Sequence, residues 1–169
     1  EHYQSLKQGC AVASFLADTM LYHIDERLST MDGYYVRYSD DCLYIGADYE
    51  KAMELMKMYL GKMQLTLNPK KIEYLTHDKW VKFLGFNIMG NQITLSKGRV
   101  KDFQKEISAR TTKLPRVTLA KAINSVNRYL YKGDGRFSWA TSVLPIINVQ
   151  KDIDTLNEYV MDSLRACAT

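Results

Sequence analysis

Apolar side chains recur every three to four residues in five stretches of the chain, which predicts five amphipathic helices. The stretches are residues 11–28, 49–63, one that begins after Ser96, one that begins after Thr118 and ends at Gly133, and 151–166. We expect Asp48, Ser96 and Thr118 to be N-caps, because their side-chain oxygens can accept hydrogen bonds from the free N–H groups of a first helical turn.

Runs rich in β-branched and aromatic residues predict strands between the first helices. Tyr34–Tyr38 and Leu43–Ile45 flank a short polar turn and form a predicted hairpin. Leu65–Leu67 is a short strand candidate. Val81–Met89 and Ile93–Leu95 are separated by a Gly-Asn turn, which predicts a second hairpin.

The element order changes from mixed to purely helical after residue 95. We therefore predict an α+β fold in which residues 1–95 form an α+β domain and residues 96–169 form a helical domain. The positions expected to face the core of the later helices are Val100, Phe103, Ile107, Leu119, Ala122, Ile123, Val126, Leu130, Ile153, Leu156, Val160 and Leu164.

Composition indicates a folded globular protein, since 46% of the residues are hydrophobic and 25% are charged. No apolar run approaches the roughly 20 residues that span a bilayer, so we predict no membrane association. Three cysteines, Cys10, Cys42 and Cys167, lack the spacing of zinc ligands. They fit a reducing intracellular setting, and the predicted location is cytoplasmic.

The charge distribution suggests a partner. Residues 1–69 carry a net charge of −4, residues 70–136 a net charge of +10 and residues 137–169 a net charge of −2. A strongly basic segment suits a nucleic-acid backbone through counterion release, and a solvated surface is the alternative. The candidate backbone contacts are Lys97, Arg99, Lys101 and Lys105, which are expected to point outward from one helix.

Two adjacent carboxylates, Asp40 and Asp41, occupy the predicted turn of the first hairpin. Because like charges repel, a positive partner is expected beside them. Carboxylate oxygens are suitable ligands for Mg²⁺, and two such ions about 4 Å apart support phosphoryl transfer. A solvated turn is the alternative, because aspartate is common in turns.

The segment Tyr38-Ser39-Asp40-Asp41 resembles the Tyr-x-Asp-Asp active-site hairpin of reverse transcriptases. Three further segments are similar to motifs of that family in the same order: Gln8-Gly9 with the following helix through Asp18, Leu65 to Lys71, and Phe83 to Phe86. The later helices look like the thumb of bacterial enzymes of the group II intron type. One departure is Gln8-Gly9-Cys10-Ala11, where the family usually has Gln-Gly-Ser-Pro.

The resemblance implies roles for the matched residues. Asp40 and Asp41 would bind two Mg²⁺ ions, and Lys71 would act near the leaving pyrophosphate, although a plain surface role for Lys71 is the alternative. The implied nucleotide-binding positions are Gln8, Gly9 and Tyr38. The implied primer-grip positions are Phe83, Leu84, Gly85 and Phe86. Two alternatives stay open, namely that Tyr38 packs on the core and that Arg37 simply pairs with an acid.

The implied activity is RNA-directed DNA polymerisation, in which a DNA primer 3′-hydroxyl attacks the α-phosphate of a dNTP on an RNA template. In this family another catalytic aspartate, the fingers and the N-terminal palm precede the Gln-Gly segment. We therefore expect this chain to be the C-terminal palm and thumb of a longer polymerase and to be inactive alone. The alternatives are a polymerase-derived nucleic-acid-binding protein and an unrelated Mg²⁺-dependent phosphotransferase.

Overall fold

The computed structural model describes residues 12–132 and 138–168, and their contacts divide the chain into two compact units, Glu1–Tyr74 and Leu75–Thr169. Two small antiparallel sheets and six α-helices in the described residues confirm the predicted α+β class. None of these helices combines the length and the apolar character needed to cross a bilayer. The predicted sites at Gln8 and Gly9, and the helix end at Gly133, lie outside the described residues.

The first unit consists of two helices around a two-stranded hairpin. Its elements are α1 (Ala13–Ser29), β1 (Tyr34–Tyr38), β2 (Asp41–Ile45), α2 (Tyr49–Lys62) and a 3-10 turn (Pro69–Lys71). Asp48 precedes α2 as predicted, but its carboxylate accepts a 3.1 Å hydrogen bond from Lys51 Nζ instead of a cap bond. The bounds of α2 therefore agree with those predicted from the sequence, while the expected side-chain cap at Asp48 does not form.

The predicted strand at Leu65–Leu67 is wrong, since these residues form no strand. The chain leaves α2 through Gln64, which has a φ of +59°, and the N–H of Leu65 donates to Leu60 O at 2.9 Å. That bond satisfies a free carbonyl at the end of the helix, which is how a left-handed residue commonly terminates one. The N–H of Leu65 therefore caps α2 and is not available for pairing with a strand.

The core of the first unit forms where the second half of α1 meets α2. Ile24, Leu28, Ala52 and Leu60 are buried there, and side chains from the hairpin pack against them. The apolar spacing continues toward the start of α1, yet Phe15 is 71% exposed. Helical spacing therefore identifies the element correctly but overstates how much of its length is buried.

Gly33 provides the close approach at the base of the hairpin. A Cβ added there would lie 2.7 Å from the Tyr44 hydroxyl and 2.8 Å from Ile45 O, too close for either neighbour. We expect Gly33→Ala to lower the free energy of unfolding by about 1–3 kcal/mol, measured by urea denaturation. The matched control is Gly61→Ala on α2, where an added Cβ meets nothing within 4 Å and a gain of about 0.5–1 kcal/mol is expected. Equal effects of the two changes would contradict this account.

The second unit combines a three-stranded sheet with four helices. Its elements are β3 (Val81–Phe83), β4 (Phe86–Met89), β5 (Gln92–Leu95), α3 (Lys97–Arg110), α4 (Leu119–Asn127), a π-helical turn (Arg128–Lys132), α5 (Trp139–Ser142) and α6 (Gln150–Arg165). The strands are antiparallel in sequence order. Ser96 and Thr118 accept hydrogen bonds from Arg99 N and Lys121 N, so both predicted N-caps are confirmed.

The single strand predicted over residues 81–89 is wrong, because a tight turn divides it. Phe83 pairs with Phe86, and the two residues between them, Leu84 and Gly85, have φ values of +50° and +82°. Positive φ at both turn positions gives the backbone twist that suits a two-residue hairpin. The Phe-Leu-Gly-Phe segment is therefore a turn and its flanks, where a continuous core strand was expected.

The sheet shares one core with the helices. Leu95 is buried with Phe103, Ile107 and Trp139, and Asn148 extends the hydrogen bonding of β5. The side-chain oxygen of Asn148 accepts from Ile93 N at 2.8 Å, and the backbone N–H of Asn148 donates to Ile93 O at 2.9 Å. The division of the chain into its two compact units falls between Tyr74 and Leu75. The domain boundary predicted at residue 95 stays a prediction.

Two helix positions expected to face this core are exposed instead. Leu119 is 37% exposed and Ile123 is 39% exposed, whereas Ala122 and Val126 are buried. Ile123 is rotated by about 100° from Ala122 around the helix axis, and Leu119 lies in the first turn. The buried face of α4 is therefore narrower than the apolar spacing suggested.

Candidate active site

The acidic pair lies at the tip of the first hairpin. Tyr38 pairs with Asp41 at the end of the ladder, so Ser39 and Asp40 form a two-residue loop. Ser39 has a φ of +57°, a conformation typical of the first loop position of a type II′ hairpin. The predicted hairpin is thus confirmed, with Asp40 in the loop and Asp41 as the first residue of β2.

Alternation along the strands separates the hairpin residues into two faces. Tyr35 and Arg37 lie on the face toward α1, while Tyr38 and Asp41 lie on the opposite, exposed face. The Tyr38 side chain is 65% exposed, so the alternative in which its ring packs on the core is wrong. A contact between Tyr38 and a primer or nucleotide stays a prediction.

The guanidinium of Arg37 binds the carboxylates of α1. Its Nε and Nη2 atoms form a fork to the Asp25 carboxylate, with distances of 2.8 Å to Oδ1 and 2.6 Å to Oδ2. Its Nη1 atom donates to Asp18 Oδ1 at 2.8 Å and to Ser39 O at 2.9 Å. The Arg37 side chain is only 10% exposed. The interpretation that Arg37 pairs with an acid is therefore confirmed, and the acids come from α1.

The same contacts fix the charge states of this cluster. Partial burial would raise the pKa of Asp25, but the hydrogen bonds from Arg37 and Tyr35 and the guanidinium charge outweigh it and hold that pKa below its ordinary value. The bond to Asp25 raises the pKa of Arg37, and burial with the same carboxylate raises the pKa of Tyr35. The stability that Asp25 contributes is therefore present above the ordinary carboxyl pKa and is lost as the pH falls through the lowered value.

Asp40 and Asp41 receive no such partner. Both are exposed, and within residues 12–132 and 138–168 neither forms a salt bridge. In the same part of the chain no group of three or more His, Cys, Asp or Glu side chains converges to hold a metal ion. Two exposed carboxylates fit the one or two protein ligands that Mg²⁺ commonly uses, with the remaining ligands coming from elsewhere.

Lys71 ends the 3-10 turn that follows α2. Asn68 starts this turn, with its side-chain oxygen accepting from Lys70 N at 3.1 Å and its backbone oxygen accepting from Lys71 N at 3.0 Å. The Lys71 side chain is exposed. The Asn-Pro-Lys-Lys sequence therefore makes a defined turn that presents Lys71 to solvent, and a role toward pyrophosphate stays a prediction.

In the second unit, Arg99 supports the Phe-Leu-Gly-Phe turn. Its Nη1 atom donates to Leu84 O at 3.1 Å, and its guanidinium carbon lies 4.7 Å from the centre of the Phe86 ring. The Leu84 side chain is 40% exposed at the tip of the turn. The Arg99 side chain therefore packs on the turn, and a contact between Arg99 and a nucleic-acid backbone stays a prediction.

The three lysines of α3 are arranged as predicted. Lys97, Lys101 and Lys105 are four residues apart, which places them along one helix face, and all three are exposed. None of them forms a salt bridge within the described parts of the chain. This row, which we call the α3 lysine row, is free to meet phosphates, and a nucleic-acid contact there stays a prediction.

Asp18 and Asp25 belong to the site, and sequence reasoning predicted neither of them as a partner of Arg37. They are seven residues apart on α1, which brings both carboxylates to the same face two turns apart. The sequence features that could have indicated this cluster are that spacing and an arginine three residues before the acidic turn. These features did not indicate that both carboxylates meet the same guanidinium.

More than half of the chain matches the sequence profile of a known protein family. The sequence profile of the family described as Reverse transcriptase (RNA-dependent DNA polymerase) matches residues 1–88. No match is found among curated proteins. The matched segment covers more than half of the 169 residues and contains the acidic hairpin, α2 and the Phe-Leu-Gly-Phe turn. The chain therefore belongs to the reverse transcriptase (RNA-dependent DNA polymerase) family.

Proposed function

We propose that these residues are the C-terminal palm and thumb portion of an RNA-directed DNA polymerase of the group II intron-like type. The polymerase would extend a DNA primer on an RNA template with dNTPs. One observation carries the proposal: two adjacent exposed carboxylates occupy a hairpin tip, while the nearby guanidinium of Arg37 is already bound to α1. The negative charge of the tip is thus left available in a chain of this family.

Asp40 and Asp41 are the residues that would hold Mg²⁺. When bound, such ions stabilise the attacking and leaving oxygens of a phosphoryl transfer. The hairpin contributes a fixed position for the two carboxylates, because the β1–β2 ladder ends directly beside them. Lys71 would supply positive charge near the leaving pyrophosphate, and Tyr38 would contact the primer end or the incoming nucleotide from the exposed face of the hairpin.

The 169 residues alone are proposed to be inactive as a polymerase. Two-metal chemistry needs carboxylates that converge from more than one strand, and the described residues bring no group of three or more His, Cys, Asp or Glu side chains together around a metal position. We therefore propose that a further aspartate comes from fingers and N-terminal palm segments of a longer polypeptide. Those segments would complete the ligand set.

The test is primer extension on poly(rA)/oligo(dT) with Mg²⁺. The 169-residue chain is compared with the longer polypeptide that contains it. Extension by the longer polypeptide and none by the chain alone is expected. Activity of the chain alone would overturn the proposed missing ligand. A well-folded but inactive longer polypeptide would favour a nucleic-acid-binding protein that does not polymerise.

Backbone binding is assigned to the α3 lysine row. Charge reversal of Lys97, Lys101 and Lys105 to glutamate should weaken binding of the chain to an RNA–DNA hybrid. It should also lower the slope of log affinity against log salt by about 1 for each lysine that meets a phosphate. Fluorescence anisotropy across a salt series measures both effects.

The control for this change reverses three lysines of the first unit. Lys51, Lys57 and Lys62 lie on α2 and are exposed, so their reversal makes the same change in net charge elsewhere. We expect a smaller loss of affinity from the control. An equal loss from both sets would indicate a general charge effect and would contradict a specific role of the α3 lysine row.

A further inference from the structure

Arg37 joins helix α1 to the loop that carries the acidic pair. Three of its nitrogens are used: two form the fork to Asp25, and Nη1 divides its donors between Asp18 Oδ1 and Ser39 O. Attaching β1 to α1 needs only the pair with Asp25. The bond to Ser39 O reaches past the end of β1, so it also attaches the loop to Arg37.

The bond to Ser39 O also orients Asp40, because a peptide bond is planar. The carbonyl of Ser39 and the nitrogen of Asp40 belong to one rigid peptide group. Holding Ser39 O at 2.9 Å from Arg37 therefore fixes the plane from which the Asp40 side chain departs. Ser39 also has a φ of +57°, a region that non-glycine residues adopt only when surrounding contacts hold them there.

A second contact orients the anchor itself. The Tyr35 hydroxyl donates to Asp25 Oδ1 at 2.8 Å, so the carboxylate that receives the Arg37 fork is held from a second side. The line of contacts runs from Tyr35 through Asp25 and Arg37 to the loop carbonyl. These hydrogen bonds all involve side chains and are additional to the backbone pairing of β1 with β2.

We propose that Arg37 is a positioning residue that sets the orientation of Asp40 and Asp41 through its bond to Ser39 O, with Asp25 and Asp18 as its anchors on α1. Arg37 itself touches neither metal nor substrate in this proposal. The part of the proposal that concerns metal rests on the proposed polymerase function. The part that concerns the order of the loop does not.

The loop is tested by hydrogen exchange in the 169-residue chain. Arg37→Lys keeps the positive charge beside Asp25 but cannot make the fork and reach Ser39 O together, since lysine has a single nitrogen. We expect the amide of Asp41, which is paired with Tyr38 at the end of the ladder, to exchange about tenfold faster, while the amides of Ile24 and Leu28 in α1 change little. Unchanged exchange of the Asp41 amide would overturn the proposal.

Arg37→Gln is the stronger variant and removes the charge, and Arg37→Lys keeps the test valid if Arg37→Gln does not fold. The matched control is Arg27→Gln, which removes an exposed arginine near the end of α1. We expect the control to leave exchange of the Asp41 amide unchanged. Faster exchange of that amide in the control would indicate a general charge effect and contradict the proposal.

The metal part is tested in the longer polypeptide by primer extension over a Mg²⁺ series. Misplaced ligands should raise the Mg²⁺ concentration for half-maximal rate about tenfold in Arg37→Lys, with partial recovery at high Mg²⁺. A purely structural role would lower the active fraction and leave that concentration unchanged, which would overturn the positioning role. If the unaltered polypeptide does not polymerise, the proposed function fails, and the exchange experiment still decides the claim about the loop.

Discussion

Asp40→Ala in the longer polypeptide should abolish primer extension while leaving its affinity for an RNA–DNA hybrid almost unchanged. A metal ion contributes several kcal/mol to phosphoryl transfer, so losing a ligand should lower the rate by at least about 1000-fold. Hybrid affinity should persist, because the proposed phosphate contacts come from the α3 lysine row and not from the hairpin tip. Primer extension and fluorescence anisotropy on the same preparations measure the two quantities.

The matched control for this prediction is Asp48→Ala. Asp48 lies after the same hairpin, and in the described part of the chain its carboxylate makes one salt bridge, with the exposed Lys51, a pair of the kind that contributes little stability. We expect this variant to extend primers at close to the unaltered rate. Full activity of Asp40→Ala would mean that the acidic tip is an ordinary solvated turn. Loss of hybrid binding together with activity would place the tip in the binding surface.

Local signals predicted most of the elements correctly. Ser96 and Thr118 were recognised as caps because a side-chain oxygen before an apolar-periodic run has a specific partner in the first turn. The first hairpin was recognised because two aromatic, β-branched runs flank a polar turn. In both cases the residues that decide the structure lie in one short continuous segment of the chain.

The prediction of one continuous strand over residues 81–89 failed where a contact distant in sequence matters. The turn at Leu84 and Gly85 interrupts an apolar run, and the guanidinium that stabilises it belongs to Arg99, which was expected to face solvent. Periodicity reports which side of an element is apolar. It does not report which polar side chain folds back over that side.

The fork between Arg37 and Asp25 is a second example. The sequence left open that Arg37 pairs with an acid, but it did not indicate which acid. The strand alternation turns Arg37 toward α1, where Asp18 and Asp25 compensate its charge. Only the face assignment of β1 against a particular helix decides this, and that is a property of the tertiary structure.

Phe103→Ala should strongly destabilise the second unit, lowering its free energy of unfolding by about 3–5 kcal/mol. Phe103 is 3% exposed and its ring lies 4.6 Å from that of Trp139, in an edge-to-face arrangement. Removing the ring leaves a cavity at the point where α3 and α5 share the core. Urea denaturation followed by tryptophan emission measures the change, since Trp139 is itself buried beside the cavity.

Ile123→Ala is the control that separates burial from apolar spacing. Both Phe103 and Ile123 were expected to face the core from sequence, but Ile123 is 39% exposed, so its truncation should cost less than about 1 kcal/mol. Val126→Ala, on the same helix at 2% exposure, should cost more than Ile123→Ala, because its side chain is buried in that core. Equal losses of unfolding free energy from the two truncations would mean that Ile123 is buried in the core as Val126 is, which would contradict the structure.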